Sequence, residues 1–483
     1  MTRTPTSIRL TRRAALALLA AGAASPVLAR QEPTLPSNEP QDFLGTPPRP
    51  STLSGPFSLV AIGDLLNSTP MATLDDPEFQ AVVDIVKAGD VAIGNREGVI
   101  LDLPTFTGQP YGHGQMFGEA AMAGDMKAMG VDMVSMANNH STDWGWEGLI
   151  EAQRLIDEAG LVHAGGGMTL AQAREAGIMT TPKGRVALVS TASTFKVNAG
   201  ANDAGGEDGP ARPGISTLRL RKVNLVNAEQ MALVRGLASE RASPLEPAPA
   251  PDARDVTFGD QIYRLEPGSG PRIAYEMELY DHAALLKAVR DAKQVADLVV
   301  FTIHAHESPT GLDDDTPAPP DFLLTLLRQS VDAGADLVLG GGPHSLRGIE
   351  IYKGKPILYG MGLFTLRAMI KASQETVFRA WPDATGHAPK PGASGGSGGG
   401  GGTPPKWLQG VVAAVDYAAD GREQAVRLYP IDLQHTAEGG TRGVPHLAKG
   451  DVAAQILADL QTDSTSFGTQ IEIEGDMGVI RIR

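Results

Sequence analysis

Polar side chains that could hold a divalent cation follow five of the predicted strands, at the points where those strands end. They are Asp64, Asn95, Glu97, Asn138, Asn139, His140, His304, His306 and His344. In an open α/β sheet, ligands bind in the crevice outside the carboxyl ends of the strands, so residues distant in sequence can meet there. Carboxylate, amide and imidazole groups are the ligands that hard or borderline divalent ions select in the absence of thiolates. The pattern therefore predicts a metal centre built from several strand ends.

Taken singly, each of these signals also has a purely structural interpretation. An Asp directly after a strand, such as Asp64, is typical of a helix N-cap or a turn. Glu97 could be a solvated loop acid, residues 304–307 could be a polar strand end, and His344 follows a glycine-rich turn that needs no ligand. Residues 138–140 favour function, because two amides and an imidazole are costly to bury without a role. The repetition at successive strand ends favours the metal centre.

Short apolar runs alternate with longer helical patterns along most of the chain. Strands are predicted at residues 57–62, 91–93, 133–136, 186–190, 298–303, 337–339, 357–359 and 410–417. Helices are predicted at residues 77–87, 118–129, 146–159, 170–176, 283–294 and 322–333. Strands that lead into helices through short loops predict an α/β fold, with a parallel or mixed sheet covered on its faces.

The composition excludes several classes of protein and site. The 483 residues, 42% of them hydrophobic, are enough for a large packed domain. There is no cysteine, so a metal must sit on oxygen and imidazole ligands. The formal net charge of −15 argues against nucleic acid as a partner, because phosphate backbones are bound through Lys and Arg. An anionic substrate would need a bound cation or a few well-placed arginines.

The first 29 residues have the pattern of an export signal. A basic head that includes Arg12 and Arg13 precedes an apolar run, and small residues near Ala29 suit a signal peptidase. The paired arginines favour twin-arginine export over an ordinary secretory signal or an uncleaved anchor. We therefore expect a periplasmic or extracytoplasmic protein with no transmembrane helix after cleavage. Residues 30–55 are predicted as a Pro-rich linker, and residues 56–483 as one domain with a flexible Gly/Pro-rich insertion at 383–405.

Three segments, in a fixed order, carry a resemblance to a known family. They are residues 61–64 (Ala-Ile-Gly-Asp), residues 91–98 (Val-Ala-Ile-Gly-Asn-Arg-Glu-Gly) and residues 129–140, which end in Ala-Asn-Asn-His and are followed by Asp143, Trp144 and Gly145. Further matches lie at residues 164–167, 212–214, 303–307, 343–357, 429–431, 443–445 and 467–469. From about residue 57 onward, the chain resembles the bacterial CapA family of poly-gamma-glutamate capsule-synthesis proteins.

The resemblance implies a metallophosphatase-like sandwich of two mixed β-sheets flanked by helices, an αββα arrangement, with one or two divalent ions (Mn, Fe, Zn or Mg). Asp64 and His344 would bind the first ion, and Glu97 would bridge both. Asn139 and His304 would bind the second ion. The family usually has a histidine where this chain has Gly341 and Gly342, so we expect one metal position to be weaker unless His306 or water replaces that imidazole.

The same resemblance implies catalysis by a metal-bound hydroxide. His140, with Asp143, would be the general acid or the charge stabiliser, and Arg96 and Arg347 are candidates to hold an anionic substrate. The resulting hypothesis is a metal-dependent hydrolase or transferase of capsule biosynthesis, acting on a phosphoester or on an amide bond of a polyglutamate-like polymer. Two alternatives are a non-catalytic factor that binds polymer during assembly or export with other envelope capsule-synthesis proteins, and a binding protein for a small anion.

Overall fold

The computed structural model describes residues 47–110, 116–204, 209–243, 247–268, 272–311, 316–367, 405–433 and 443–482. The strands are β1 (Phe57–Asn67), β2 (Val91–Asn95), β3 (Val99–Leu101), β4 (Phe117–Glu119), β5 (Met133–Ser135), β6 (Val162–Ala164), β7 (Gly166–Gly167), β8 (Gly177–Thr181), β9 (Gly184–Ala192), β10 (Gly214–Ile215), β11 (Leu220–Val226), β12 (Asp255–Phe258), β13 (Gln261–Leu265), β14 (Arg272–Met277), β15 (Leu298–His304), β16 (Leu337–Gly341), β17 (Leu346–Tyr352), β18 (Lys355–Met361), β19 (Leu363–Arg367), β20 (Gln409–Tyr417), β21 (Glu423–Asp432), β22 (His446–Leu447), β23 (Glu472–Glu474) and β24 (Met477–Arg481).

The α-helices are α1 (Pro77–Lys87), α2 (Met122–Ala128), α3 (Gly145–Glu158), α4 (Leu170–Arg174), α5 (Ala228–Glu240), α6 (Leu279–Val295), α7 (Asp321–Asp332) and α8 (Asp451–Ser464). Short 3-10 helices cover Pro405–Leu408 and Thr465–Phe467. Helix α1 has the bounds that the sequence predicts, because Asp76 caps it by accepting the backbone N–H groups of Glu78 and Phe79, and Pro77 occupies its first turn.

The chain divides into two compact units, and two large sheets form most of the larger one. Ten strands make the first, in the order β23-β24-β21-β20-β1-β2-β5-β6, with β19 paired to β1 and β22 to β21. Six strands make the second, in the order β17-β18-β16-β15-β9-β8. Strand β1 runs parallel to β2 and antiparallel to β20, while β15 runs parallel to β9 and β16, and β17 runs antiparallel to β18. Both sheets are therefore mixed.

Alternating side chains of the strands divide the core into two layers. Leu59 and Ile93 of the first sheet belong to the same buried cluster as Val300 of the second, so the two sheets pack face to face. Val60 points the other way and shares a cluster with Phe79 of α1. Helices α6 and α7 pack on the second sheet through β9, β15, β16 and β18. The expected two-sheet α/β sandwich flanked by helices is confirmed.

A smaller compact unit is formed by Arg221–Glu276 with Pro309–Gly311. Its four strands have the order β12-β13-β11-β14. Helix α5 contributes Met231 and Val234 to a small core that also contains Val256. The sequence predicted a single domain over residues 56–483; the structure instead separates this segment as a unit with a core of its own.

The last part of the predicted linker makes contacts with the rest of the chain. Residues 47–55 pack on the larger unit, where Leu53 is buried in the core and Arg49 pairs with Asp297 at 2.7 Å. An apolar side chain and an ion pair therefore anchor the last part of the predicted linker. The predicted signal at residues 1–29, the start of the linker and the insertion up to residue 404 lie outside the described residues. Among the described helices, none has the length and apolar character needed to cross a membrane.

Candidate metal centre

Strand ends from both large sheets position the predicted ligands. Strand β1 extends past its predicted end, and Asp64 lies in register with Asn95 at the end of β2. In the second sheet, β15 ends at His304, which lies in register with Gly341 of β16. Parallel neighbours end at the same edge of a sheet, so these polar residues are carried to a common edge in each sheet.

The ligand atoms form two overlapping groups. Asp64, Glu97 and His304 are one group, and Glu97, His306 and His344 are the other; within each group the atoms lie within 4.8 Å of one another. The Nε2 atom of His344 is 3.3 Å from a Glu97 carboxylate oxygen, and the Nε2 atoms of His304 and His306 are 3.0 Å apart. Glu97 is completely buried and belongs to both groups, which is the placement that a bridging carboxylate requires.

The grouping differs from the partition that the resemblance implied. His304 groups with Asp64, and His344 groups with His306, whereas the expected partition placed His344 with Asp64. Asn139 lies beside His306, with its Nδ2 atom 3.4 Å from the Nε2 atom of that ring. Its Oδ1 atom is buried and makes no hydrogen bond to any described residue. A buried amide oxygen without a donor is costly, and a cation beside it would satisfy it, so the donor set fits a metal.

Burial and mutual repulsion shift the pKa values of these groups. Burial, followed by the charge of Glu97, raises the pKa of Asp64 to about 6. Burial lowers the pKa of His304 to about 3, which keeps its imidazole neutral. Burial opposes ionisation of Glu97, but His344, and then His304 and His140, outweigh it and hold the pKa of Glu97 well below its ordinary value. Two adjacent buried carboxylates with imidazole nitrogens around them form a site that a divalent cation would stabilise.

The side-chain amides of Asn95 and Asn138 form a hydrogen-bond network that orients two of the candidate ligands. The Nδ2 atom of Asn95 donates to Asp64 Oδ1 at 2.8 Å and lies 3.1 Å from His304 Nδ1. Asn138 in turn donates to Asn95 Oδ1 at 3.3 Å and to the Arg96 carbonyl oxygen at 2.9 Å. The sequence placed both asparagines among the polar groups at strand ends and did not predict that they would support the ligands. Their hydrogen bonds fix the carboxylate and the ring, as outer ligands of metal sites do.

His140 and Asp143 lie together at the edge of the ligand groups. The Nδ1 atom of His140 is 2.9 Å from Asp143 Oδ2, and its Nε2 atom is 4.0 Å from Glu97 Oε1. Asp143 also accepts hydrogen bonds from the Met116 backbone N–H and from Lys196 Nζ. Sequence reasoning missed Lys196; its one available signal was its place just after β9, whose end meets that of β15.

The glycine pair at residues 341 and 342 lies against Asp64. Gly342 donates its N–H to Asp64 Oδ2 at 3.3 Å and has a φ of +112°, a conformation that favours glycine. A Cβ atom on Gly342 would lie 2.9 Å from the backbone nitrogen of Ala305. A side chain at position 342 would therefore clash with this backbone. The second ligand group has its imidazoles from His306 and His344.

His344 is held from two sides by aromatic rings. Its ring centroid is 5.4 Å from that of His306 and 5.0 Å from that of Trp407, both in edge-to-face geometry. His344 has a φ of +53°, which is unusual for a residue with a side chain. Such a conformation costs roughly 1–3 kcal/mol and persists where surrounding contacts impose it. Trp407 gave no signal in the sequence, since it follows the glycine tract by only a few residues.

The two arginines proposed as substrate ligands are buried. Arg96 is 1% exposed and donates to the backbone carbonyl oxygens of Leu65 and Val99. Arg347 is 0% exposed and donates to the carbonyl oxygens of Glu307 and Thr316. By donating to these backbone carbonyl oxygens, the two guanidinium groups stabilise the loops at the strand ends. The placement of Arg96 and Arg347 gives no support to the prediction that they hold substrate.

Comparison with known proteins decides the family. The model of the family described as bacterial capsule synthesis protein PGA_cap matches residues 58–367, which is more than half of the chain. The chain belongs to this family. All the predicted metal ligands lie inside the PGA_cap match, whereas Trp407 and strands β20 to β24 lie beyond it.

Two relatives and one solved structure show the range of similarity. The uncharacterized protein y4sH of Sinorhizobium fredii is 38% identical over 440 residues, covering 88% of this chain and 93% of that protein. The PGA biosynthesis protein CapA of Bacillus subtilis is 37% identical over 84 residues, which is 17% of this chain and 20% of that protein. A crystal structure described as a novel phosphatase of Mycoplasma pneumoniae covers 79% of this chain and 94% of its own, with 10% identity and a TM-score of 0.33. A TM-score this low carries no argument about the site.

Proposed function

We propose that this PGA_cap protein is an exported, metal-dependent hydrolase or transferase of capsule or poly-gamma-glutamate biosynthesis. The observation that carries the proposal is the pair of ligand groups that share Glu97, with His140 beside them. One or two divalent ions (Mn, Fe, Zn or Mg) would supply Lewis acidity and a nucleophile at neutral pH. The substrate would be a phosphoester or an amide bond in an anionic polymer.

The residues around the ligand groups support proton transfer at one face of the site. Asp143 accepts from the Nδ1 atom of His140, which directs the Nε2 atom toward Glu97 and the reacting centre. A histidine held in this way can donate a proton to a leaving oxygen or nitrogen. The Asp143 carboxylate fixes the ring orientation, so the proton moves at a defined nitrogen.

Turnover of a generic phosphodiester tests the proposal. The full-length purified protein is incubated with bis-p-nitrophenyl phosphate, with and without Mn²⁺, beside the variants Asp64→Ala and His140→Ala. We expect metal-dependent release of nitrophenol that both variants lose. Asp125→Asn is the matched control, because Asp125 is a buried carboxylate whose hydrogen bonds, within the described part of the chain, come from the backbone N–H groups of Met71 and Ala72. Equal turnover in wild type and both site variants, or none in wild type with any divalent ion, would overturn the proposal.

A second candidate is a non-catalytic factor that holds anionic polymer during capsule assembly or export, together with envelope proteins. It is favoured by the description of the PGA_cap family, which names synthesis rather than hydrolysis. The inactive variant Asn139→Ala separates the two functions. Polymer binding that Asn139→Ala retains while it shows no turnover would support the assembly function.

The proposed export route rests on residues 1–29. Replacing Arg12 and Arg13 together by lysine should leave the protein in the cytoplasm if the twin-arginine route is used. Fractionation of cells that carry each form measures the outcome. Continued appearance of the variant outside the cytoplasm would exclude this route.

A further inference from the structure

Lys196 reaches the His140 side of the site from the loop after β9. Its Nζ atom lies 2.5 Å from Asp143 Oδ1, and its side chain is 23% exposed while that of Asp143 is fully buried. Asp143 belongs to the segment that leads into helix α3, so the contact joins two loops that are far apart in sequence. Lys196 has no role in the function proposed above.

The Asp143 carboxylate uses each oxygen for a different task. Oδ1 accepts from Lys196, whereas Oδ2 accepts from the Met116 N–H at 2.5 Å and lies 2.9 Å from His140 Nδ1. Among the described residues, Lys196 is the one Lys or Arg side chain that binds this carboxylate. A buried carboxylate that loses its cationic partner is strongly destabilised. Lys196 and the Met116 N–H thus each hold one oxygen of the carboxylate that bonds to the ring.

The loop that carries Lys196 is fastened to the ligand strand. Ser193 donates its N–H to the His304 carbonyl oxygen at 3.0 Å, and the N–H of His306 donates to Thr194 Oγ1 at 2.9 Å. Phe195 packs against the hydrophobic core. Residues directly before Lys196 are thus tied to the segment that supplies His304 and His306. This anchoring gives Lys196 a fixed position relative to the ligand groups.

We propose that Lys196 is a positioning residue: it holds the Asp143 carboxylate so that the His140 ring keeps its Nε2 atom directed at the reacting centre. Its catalytic consequence rests on the proposed function, whereas its effect on the His140 ring does not. The distinct alternative is that Lys196 binds the substrate anion directly. The two differ in kinetics, because loss of a substrate contact raises KM, and loss of a positioning contact lowers kcat.

Three variants test the proposal in turnover of bis-p-nitrophenyl phosphate with Mn²⁺. Lys196→Met should lower kcat roughly 10- to 100-fold, the usual effect of an outer partner of a metal site, with KM and bound metal nearly unchanged. Lys196→Arg should recover part of kcat, since it keeps the positive charge. Lys355→Met is the matched control: Lys355 is similarly exposed, at 26%, and also bonds to carboxylates, those of Asp336 and Glu423. It should leave kcat unchanged.

A raised KM with wild-type kcat in Lys196→Met would overturn the positioning function, as would wild-type values of both. A readout independent of turnover is the ring proton of His140 in protein labelled with ¹⁵N-histidine, identified by its loss in His140→Gln. In wild type and Lys355→Met, we expect a hydrogen-bonded Nδ1–H signal. Lys196→Met should lose or shift it, and an unchanged signal would exclude the proposal. If wild type shows no turnover, the proposed function fails and this signal still decides the position of the ring.

Discussion

The imidazole rings of His304 and His306 meet in edge-to-face geometry with their Nε2 atoms 3.0 Å apart. Two ring nitrogens cannot approach this closely unless a proton or a cation lies between their lone pairs. His304 belongs to the ligand group of Asp64, and His306 belongs to that of His344. The pair therefore links the two ligand groups, which also share the carboxylate of Glu97.

Glu97→Gln should abolish metal binding at both groups, because Glu97 is common to them. We expect the affinity for Mn²⁺ to fall at least about 100-fold, the upper end of what outer ligands cost. Metal analysis after equilibrium dialysis measures the change. Asp125→Asn serves as the control and should bind metal as wild type does. Wild-type affinity in Glu97→Gln would contradict the shared-ligand arrangement.

His306→Gln should affect one ligand group and spare the other. His306 supplies an imidazole to the group of Glu97 and His344, whereas the group of Asp64, Glu97 and His304 does not include it. Titration with Co²⁺, followed by its visible absorption, should show binding at one group where wild type shows binding at two. An unchanged stoichiometry would mean that His306 is not a ligand, and that water completes this group.

Trp407 should report metal binding at His344, because the two rings are 5.0 Å apart. Co²⁺ or Mn²⁺ bound there should quench its fluorescence, and Trp407→Phe should remove most of the quenching. Trp146→Phe is the control, since Trp146 is 38% exposed and packs beside Arg212. Quenching that survives in Trp407→Phe would show that the bound ion lies near another tryptophan.

Glu423 should make stability depend on pH. Burial raises its pKa from 4.5 to about 7, although Lys355 opposes the shift. Between these values the folded state keeps a proton that the unfolded state has lost, so the free energy of unfolding decreases as pH rises from about 4.5 to about 7. The contribution is on the order of 3 kcal/mol.

Glu423→Gln cannot titrate and should remove this contribution. Urea unfolding at pH 5 and pH 7 should show the stability of the variant rising relative to wild type at the higher pH. The exposed residue Glu472 provides the control variant Glu472→Gln. A constant difference between wild type and Glu423→Gln at both pH values would show that the buried acid does not titrate in this range.

Much of the candidate site follows from local pattern. Apolar runs that end in Asp64, in residues 95–97 and in residues 138–140 identify strands whose carboxyl ends carry polar groups. His304 and His306 are two residues apart, a spacing that places both side chains on one side of an extended chain. The two-sheet fold was expected from the family resemblance, and the paired sheets confirm it.

Only the tertiary structure decided how those residues are used. The direction of a long side chain depends on what packs around it, so Arg96 and Arg347 turned inward to backbone carbonyl groups that no sequence pattern places near them. Lys196 joined the site because its loop meets the start of α3. The sequence specified which chemical groups lie at the strand ends. The packing of the two sheets determined which residues bond to those groups, because hydrogen bonds and ion pairs require contact in space rather than proximity in the chain.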